Sequence, residues 1–203
     1  MKINSSTVLV GDKVVLVPYK EHHVTRYHDW MQSSELLAQT ASERLTLDQE
    51  YEMQKSWYED TNKCTFIVLD KRRWRQSADE IDSMVGDVNL FFNDENDPQT
   101  AEVEVMIAEP TYRGQGLGKE SVLIMMHYGV SKVGARQFTA KIGYNNKPSL
   151  ILFNKLGFSQ VSSSDVFQEM TLQLYVDDKT LKELNSYYMQ YVTEQIYPYT
   201  TPG

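Results

Sequence analysis

This sequence has little cysteine, no long apolar run and no excess of positive charge. The 203 residues contain one cysteine, Cys64, which cannot form a disulfide within the chain and fits a reducing compartment. No stretch approaches the roughly 18 apolar residues of a membrane-spanning helix, and the amino terminus lacks the apolar core of a signal peptide. We therefore expect a cytoplasmic protein with no membrane partner.

The charge balance is acidic, with 20 Lys and Arg against 28 Asp and Glu and a formal net charge of −8. Nucleic-acid binding depends on clustered cations, so a nucleic-acid partner is not expected. One basic segment, Lys71-Arg72-Arg73-Trp74-Arg75, is interpreted as a solvated loop between two strands, with an anion or nucleic-acid site as the alternative. The four histidines and one cysteine lack metal-ligand spacing, so no metal is expected.

Hydrophobic patterning predicts an α/β fold: a single mixed, mostly antiparallel central sheet flanked by helices. The predicted strands are 13–18, 64–69, 84–92, 101–108, 137–142, 158–161 and 166–176. The predicted helices are 22–33, 47–57, 116–133 and 148–156. Thr46 and Gln49 form a capping-box pattern at the start of the second helix.

The chain divides into a predicted domain, residues 1–176, and a Tyr-rich tail, residues 177–203. We predict that the tail is a helix packed on the domain, followed by a frayed end. A docking surface for a protein partner is the alternative.

A glycine-rich loop joins a predicted strand to a predicted helix, and its sequence is Arg113-Gly114-Gln115-Gly116-Leu117-Gly118-Lys119. Its glycines let the backbone turn tightly and approach a ligand, and the helix N-terminus that follows favours a pyrophosphate. The spacing fits neither the G-x-x-x-x-G-K-S/T nucleotide loop nor the G-x-G-x-x-G dinucleotide fingerprint. A tight turn without a ligand is the alternative.

Two motifs in this order resemble the GCN5-related N-acetyltransferase (GNAT) superfamily. Arg113, Gly116 and Gly118 match its signature R/Q-x-x-G-x-G/A, and residues 146–158 resemble its segment N-x-x-A/S-x-x-x-Y/F-x-K-x-G-F. Further blocks between residues 1 and 176 resemble the N-acetyltransferase-nine family of the ribosomal-protein-type subgroup. Members of that family are described as acetylating the amino termini of α- and β-tubulin and stabilising microtubules. The resemblance thus implies acetyl-coenzyme A as co-substrate and tubulin as partner.

The resemblance also implies which residues contact the coenzyme. Backbone amides of the glycine loop should hold the pyrophosphate, a splayed strand end should bond the pantetheine arm, and the later helix should flank the arm and thiol. The implied residues are Val105, Met106, Ile107, Arg113, Gly114, Gln115, Gly116, Leu117, Gly118, Lys119, Asn146, Ser149 and Phe153.

The predicted general base is Glu104 or Glu102, which share one face of the strand leading to the implied acetyl site. The alternative is that both carboxylates only solvate an exposed face. Glu169 is a third candidate, and Glu109 is interpreted as structural. Phe153 stands where many family members have a Tyr that protonates the leaving thiolate, so Tyr144, Ser149 or water remain as candidates for the acid.

Residues 33–50 and the hairpin 161–167 are expected to wall the acceptor groove, as the resemblance implies. Two other hypotheses about the function stay open. One keeps the chemistry and changes the acceptor to a Lys side chain or a small amine. The other is a microtubule-associated binding protein with weak or no catalysis.

Overall fold

Runs of β-branched and aromatic residues build the central sheet of the computed structural model, which describes residues 2–198. Its strands are β1 (Thr7–Val10), β2 (Val14–Pro18), β3 (Lys63–Asp70), β4 (Met84–Phe91), β5 (Thr100–Ile107), β6 (Gln137–Gly143), β7 (Ser159–Ser164), β8 (Glu169–Tyr175) and β9 (Thr193–Ile196). The helices are α1 (Val24–Trp30), α2 (Ser34–Gln39), α3 (Leu47–Glu59), α4 (Lys71–Ser77), α5 (Glu80–Ser83), α6 (Leu117–Tyr128), α7 (Lys147–Lys155) and α8 (Asp178–Tyr191).

The strand order is β7-β8-β6-β5-β4-β3-β2-β1-β9. Every pair is antiparallel except β5–β6, which is parallel. The predicted single, mixed and mostly antiparallel sheet is therefore confirmed. Because β2, β3, β4 and β5 alternate in direction, the start of β2 lies at the same edge of the sheet as the carboxyl ends of β3 and β5.

Each face of the sheet carries its own apolar layer. One layer contains Leu117 of α6, Phe153 of α7 and Leu184 of α8. The other contains Trp30 of α1 and Trp74 of α4. The two layers bury both faces of the central strands, which explains why β2, β3 and β4 are almost continuously buried.

Local signals located most elements. The capping box at α3 is present, with the Thr46 side chain accepting from the Gln49 amide and the Gln49 side chain accepting from the Thr46 amide. Four short elements were not predicted: β1, α2, α5 and β9, which have four to six residues each. Such short elements carry too few residues for a periodic pattern, and their tertiary contacts stabilise them.

The basic segment at residues 71–75 is not a loop, and the prediction was wrong there. It forms α4, because the Asp70 carboxylate caps the helix by accepting from the Arg73 amide at 2.7 Å. Trp74, only 3% exposed, anchors the helix in the apolar layer. The cations of this segment therefore lie on a helix that is docked on the domain, and not on a solvated loop.

The predicted helix of the tail is present as α8, which packs on α6 through Leu184. The predicted frayed end was wrong for Thr193–Ile196, which forms β9 and pairs with β1 in the register Leu9 to Glu194. Residues 199–203 lie outside the described residues, and the domain boundary at residue 177 stays a prediction. No helix within residues 2–198 combines the length and apolarity needed to cross a membrane.

Candidate active site

The glycine loop turns from β5 into α6, as predicted. Gly114 and Gly116 have φ angles of +73° and +88°, a conformation that glycine adopts without strain. Gly116 is the N-cap of α6, and among the described residues no side chain caps this helix. The first amides of the 12-residue helix therefore face outward, and with the helix dipole they fit a pyrophosphate.

Arg113 braces this loop instead of reaching outward. Its Nε donates to the Ile107 carbonyl at 2.9 Å, and its Nη1 lies 2.7 Å from Glu35 Oε1 of α2. Its backbone amide donates to the Pro110 carbonyl at 3.2 Å, so this one amide of the loop already has a partner. The contact with Glu35 brings the predicted groove segment, residues 33–50, beside the glycine loop.

Strands β5 and β6 separate midway along their length, which is the splay that the family resemblance implies. Their parallel pairing covers only Thr100–Gln137 to Glu102–Thr139. Beyond that point β5 stays paired with β4 as far as Ile107, while β6 stays paired with β8 as far as Gly143. Within residues 2–198, no strand pairs with Val105, Met106 and Ile107 on the side that faces β6, so this edge of β5 fits an extended pantetheine arm.

The side chains predicted on α7 have mainly structural contacts. Asn146 caps the helix by accepting from the Ser149 amide at 3.2 Å. Phe153 is 3% exposed and packs edge-to-face on Phe158 with 5.0 Å between ring centroids. Tyr144, a candidate acid, donates its hydroxyl to Asp165 Oδ1 at 3.0 Å. Of the two side-chain candidates for the acid, Ser149 therefore has the less committed hydroxyl.

The three candidate carboxylates differ in what surrounds them. Glu102 is paired with Lys141, whose Nζ lies 2.8 Å from its Oε2. Glu169 begins β8, opposite Gly143 at the end of β6. Glu104 lies on β5 beyond the last β5–β6 pair and reaches solvent. Neighbouring groups still desolvate its carboxylate in part. This desolvation, together with the charge of Glu102, raises the pKa of Glu104 to about 7.

A polar network that sequence reasoning missed lies behind Glu104. Asn89 of β4 stands opposite Glu104 in register, accepts from Thr65 Oγ1 at 2.6 Å and donates to Asp87 Oδ2 at 2.8 Å. Burial raises the pKa of Asp87 to about 6. These residues lie on three strands, and no spacing in the sequence signals that they meet.

Lys63 is the cation of this network. Only 4% of Lys63 is exposed, and its Nζ lies 2.9 Å from the centroid of the Trp57 ring and 4.1 Å from that of Phe91. Burial lowers the pKa of Lys63 to about 7, although the carboxylates of Asp87 and Glu104 favour its charged form. Its positive charge in turn favours the ionised form of Glu104.

Glu109, which we interpreted as structural, ties α1 to the end of β5. Its Oε1 accepts from Trp30 Nε1 at 2.7 Å and pairs with Arg26. Both partners lie on α1, so this carboxylate fixes the helix against the glycine-loop edge of the sheet.

One three-residue cluster within residues 2–198, His22 with His23 and Glu80, has the composition of a metal site. The Lys20 amide donates to His23 Nδ1 at 3.1 Å, so the ring proton of neutral His23 is on Nε2. That Nε2 lies 2.8 Å from Glu80 Oε2 and donates to it. A metal at Nε2 would displace this proton, so the contacts fit a structural hydrogen bond better than a metal.

A comparison with protein-family models identifies the family of this chain. The family model of the acetyltransferase (GNAT) domain matches residues 13–159, which include the glycine loop, Glu104 and α7. The chain belongs to the GNAT acetyltransferase family. Membership makes it an acyltransferase that uses acetyl-coenzyme A, and the glycine loop and the β5–β6 splay are the features of this structure that fit the coenzyme.

Relatives within the GNAT family match nearly the whole chain. An N-acetyltransferase 9-like protein of Nematostella vectensis is 60% identical over 202 residues, 99% of each chain. An alpha/beta-tubulin-N-acetyltransferase 9 of Mus musculus is 59% identical over 184 residues, covering 90% of this chain and 76% of that protein. The resemblance to the N-acetyltransferase-nine family is thereby confirmed.

Solved structures share the fold at low sequence identity. RimL, a ribosomal L7/L12 α-N-protein acetyltransferase solved in complex with coenzyme A, has a TM-score of 0.65 at 13% identity and covers 83% of this chain and 97% of its own. A spermidine N-acetyltransferase from Vibrio cholerae, solved with coenzyme A and spermine, has a TM-score of 0.67 at 14% identity. The match covers 84% of this chain and 98% of that protein.

Proposed function

We propose that this protein transfers the acetyl group of acetyl-coenzyme A to the free α-amine of a protein chain, in the cytoplasm, with α- and β-tubulin as substrates and microtubule stability as the property affected. The observation that carries the chemistry is Glu104, placed on β5 where β6 diverges from it. The relative in Mus musculus that supports the choice of acceptor bears the name alpha/beta-tubulin-N-acetyltransferase 9.

Glu104 is suited to accept the amine proton. An amine attacks only as neutral NH₂, and a general base works best when its pKa is near the working pH. A pKa of about 7 leaves Glu104 largely ionised at slightly alkaline pH yet basic enough to take a proton. An α-amine has a pKa of about 8, against about 10.4 for Lys, so such a base serves an α-amine better.

Acetyl-coenzyme A would supply the activated acetyl group when bound. The amides of α6 and its glycine N-cap orient anionic phosphates, and the free edge of β5 orients an extended chain. Phe153 has no proton to donate, and it is buried against Phe158. A thiolate with a pKa of about 8.5 leaves without strong acid assistance, so Ser149 or water can complete the step.

The acceptor groove has walls on two sides. The α2 segment is held beside the glycine loop by the pair of Glu35 with Arg113, 2.7 Å apart. At the β7–β8 turn, Val166 and Phe167 are 86% and 75% exposed, so both can contact an extended substrate chain.

Intact-mass analysis tests the proposal. Peptides that copy tubulin amino termini are incubated with the protein and acetyl-coenzyme A, beside the same peptides with a blocked α-amine and lysine-bearing controls. We expect one acetyl group on the free α-amine alone, and none with a Gly116→Glu variant, whose side chain would block the loop.

The other outcomes separate the remaining readings. Acetylation of the lysine controls would move the acceptor to a side-chain amine. Binding of coenzyme A without transfer to any peptide would contradict an α-amine acetyltransferase and favour a binding role. No binding of coenzyme A would overturn the proposed chemistry.

A further inference from the structure

The basic helix α4 and the glycine loop lie at the same edge of the sheet. Helix α4 begins directly after β3, and the glycine loop follows β5, whose carboxyl end is at that edge. The turn before β2 also reaches this edge, since Val14 pairs with Asp70. There Lys13 Nζ donates to the Gln115 carbonyl of the loop at 3.0 Å.

An open cavity of about 530 Å³ lies between these three segments. Gln115 and Leu117 of the glycine loop line one side of it. The other sides carry four cations, which define what we term the cationic cavity: Lys13, Lys71, Arg72 and Arg75. The cavity therefore continues directly from the predicted pyrophosphate site.

The positive charge of the cationic cavity is only partly balanced. Two acids, Asp12 and Asp70, also line it, and Asp70 is committed to capping α4. Within residues 2–198, neither Arg72 nor Arg75 has an ion pair or a side-chain hydrogen bond. Desolvation, together with the charge of Arg75, lowers the pKa of Lys71 from its ordinary value, while the carboxylates of Asp12 and Glu120 act in the opposite direction. Four cations against two carboxylates leave an excess of positive charge in the cavity, which in a chain of net charge −8 indicates an anionic ligand.

Helix α4 is oriented by its docking. Trp74 is buried in the apolar layer, and Arg73 lies 3.9 Å from Asp82 on α5. Lys71 is one helical turn from Arg75 and donates to the Gly11 carbonyl, so that face of the helix is turned to the turn before β2. The cations thus stand on a preformed surface and not on a free loop.

We propose that the cationic cavity binds the 3′-phosphate of the ribose of acetyl-coenzyme A, an inference that rests on the proposed function. Coenzyme A carries a pyrophosphate and, at its adenosine end, this separate phosphate monoester. The pyrophosphate lies on the α6 amides, and the phosphate monoester enters the adjoining cavity. Arg72 and Arg75, whose guanidinium groups match phosphate geometry, bind it.

The test is a calorimetric comparison of coenzyme A with 3′-dephospho-coenzyme A, which lacks only this phosphate. We expect the unmodified protein to bind coenzyme A roughly 10-fold tighter, as one or two charge-assisted hydrogen bonds would provide. In the double variant Arg72→Ala, Arg75→Ala this preference should fall below about twofold, while affinity for the dephospho form stays unchanged. The unchanged affinity also shows that the variant is folded.

A matched control removes the same charge elsewhere. Lys179→Ala with Lys182→Ala on α8 lowers the net charge equally, and it should keep the roughly 10-fold preference. Equal affinity of the unmodified protein for both coenzymes would overturn this inference and leave the proposed function standing. So would a double variant that keeps its preference. Binding of neither coenzyme would overturn the proposed function and the inference with it.

Discussion

Lys141 Nζ lies 2.8 Å from Glu102 Oε2, and this ion pair distinguishes the two carboxylates that the sequence placed on one face of β5. Glu102 is largely covered, with 13% of its side chain exposed, and its charge is compensated by the partner. Glu104 has no such close ion pair within residues 2–198 and reaches solvent. The structure thereby favours Glu104 over Glu102 as the base.

Glu104→Gln should lower kcat/KM for an α-amine peptide by roughly 10²- to 10⁴-fold, because the base is removed and the shape is kept. Coenzyme A affinity should not change. The matched variant Glu102→Gln should cost much less. The measurement is steady-state kinetics of both variants, and a larger loss for Glu102→Gln would reverse the assignment.

The pH profile should report the same group. Glu104 acts as the ionised form, so kcat/KM should rise with pH through an apparent pKa of about 7. Lys63→Met removes a positive charge that favours the ionised form of Glu104, so the pKa of Glu104 should rise. The rising limb of the plot of kcat/KM against pH should then move to higher pH. Lys63→Arg keeps the charge and serves as the control. A limb unmoved in Lys63→Met would show that Lys63 does not influence the base.

Gly116→Ala should weaken coenzyme A binding. Its φ of +88° costs a residue with a side chain about 1–2 kcal/mol, so the N-cap turn should distort. Gly118→Ala is the matched control, because its Cβ would meet Ile107 Cγ1 at 3.5 Å, an ordinary contact. Calorimetry measures the affinity of both variants for coenzyme A. Equal affinities of the two variants would contradict a special role of Gly116.

Gly86→Ala should destabilise the protein and disturb the free edge of β5. A Cβ at Gly86 would lie 1.8 Å from the Met106 carbonyl oxygen, so one strand must shift, at a cost of about 1–3 kcal/mol. Gly143→Ala, whose nearest atom would be 3.9 Å away, should be near neutral. Denaturant unfolding measures the free energies, and a neutral Gly86→Ala would contradict this tight approach.

Leu184→Ala should lower the free energy of unfolding by about 2–5 kcal/mol, because Leu184 is 3% exposed in the apolar layer. Met189→Ala on the same helix should change it by less than about 0.5 kcal/mol, since Met189 is 84% exposed. Thermal or urea unfolding of both variants tests whether α8 is part of the core. Equal effects would favour a loosely attached tail.

Local patterns were enough for the elements whose signals lie within one segment. The glycine loop, the capping box at α3 and the alternation of β5 each depend on neighbours in the chain, and all three are present. The prediction for residues 71–75 was wrong for two reasons. It overlooked a local signal, the Asp70 side chain that caps α4. It also lacked the burial of Trp74 in the apolar layer, a distant contact that no local pattern shows.

The sequence by itself determined the family, through the resemblance of its motifs, and it determined the sheet and the position of the glycine loop, because these depend on short-range backbone preferences. Only the tertiary structure distinguished the surroundings of Glu102 and Glu104, since a pKa depends on desolvation and on charges from other strands. Lys63, Asp87 and Glu104 come from three strands. Only the fold, likewise, brings Lys13, Arg72 and Gln115 around one cavity, because the start of β2 and the carboxyl ends of β3 and β5 lie at the same edge of the sheet.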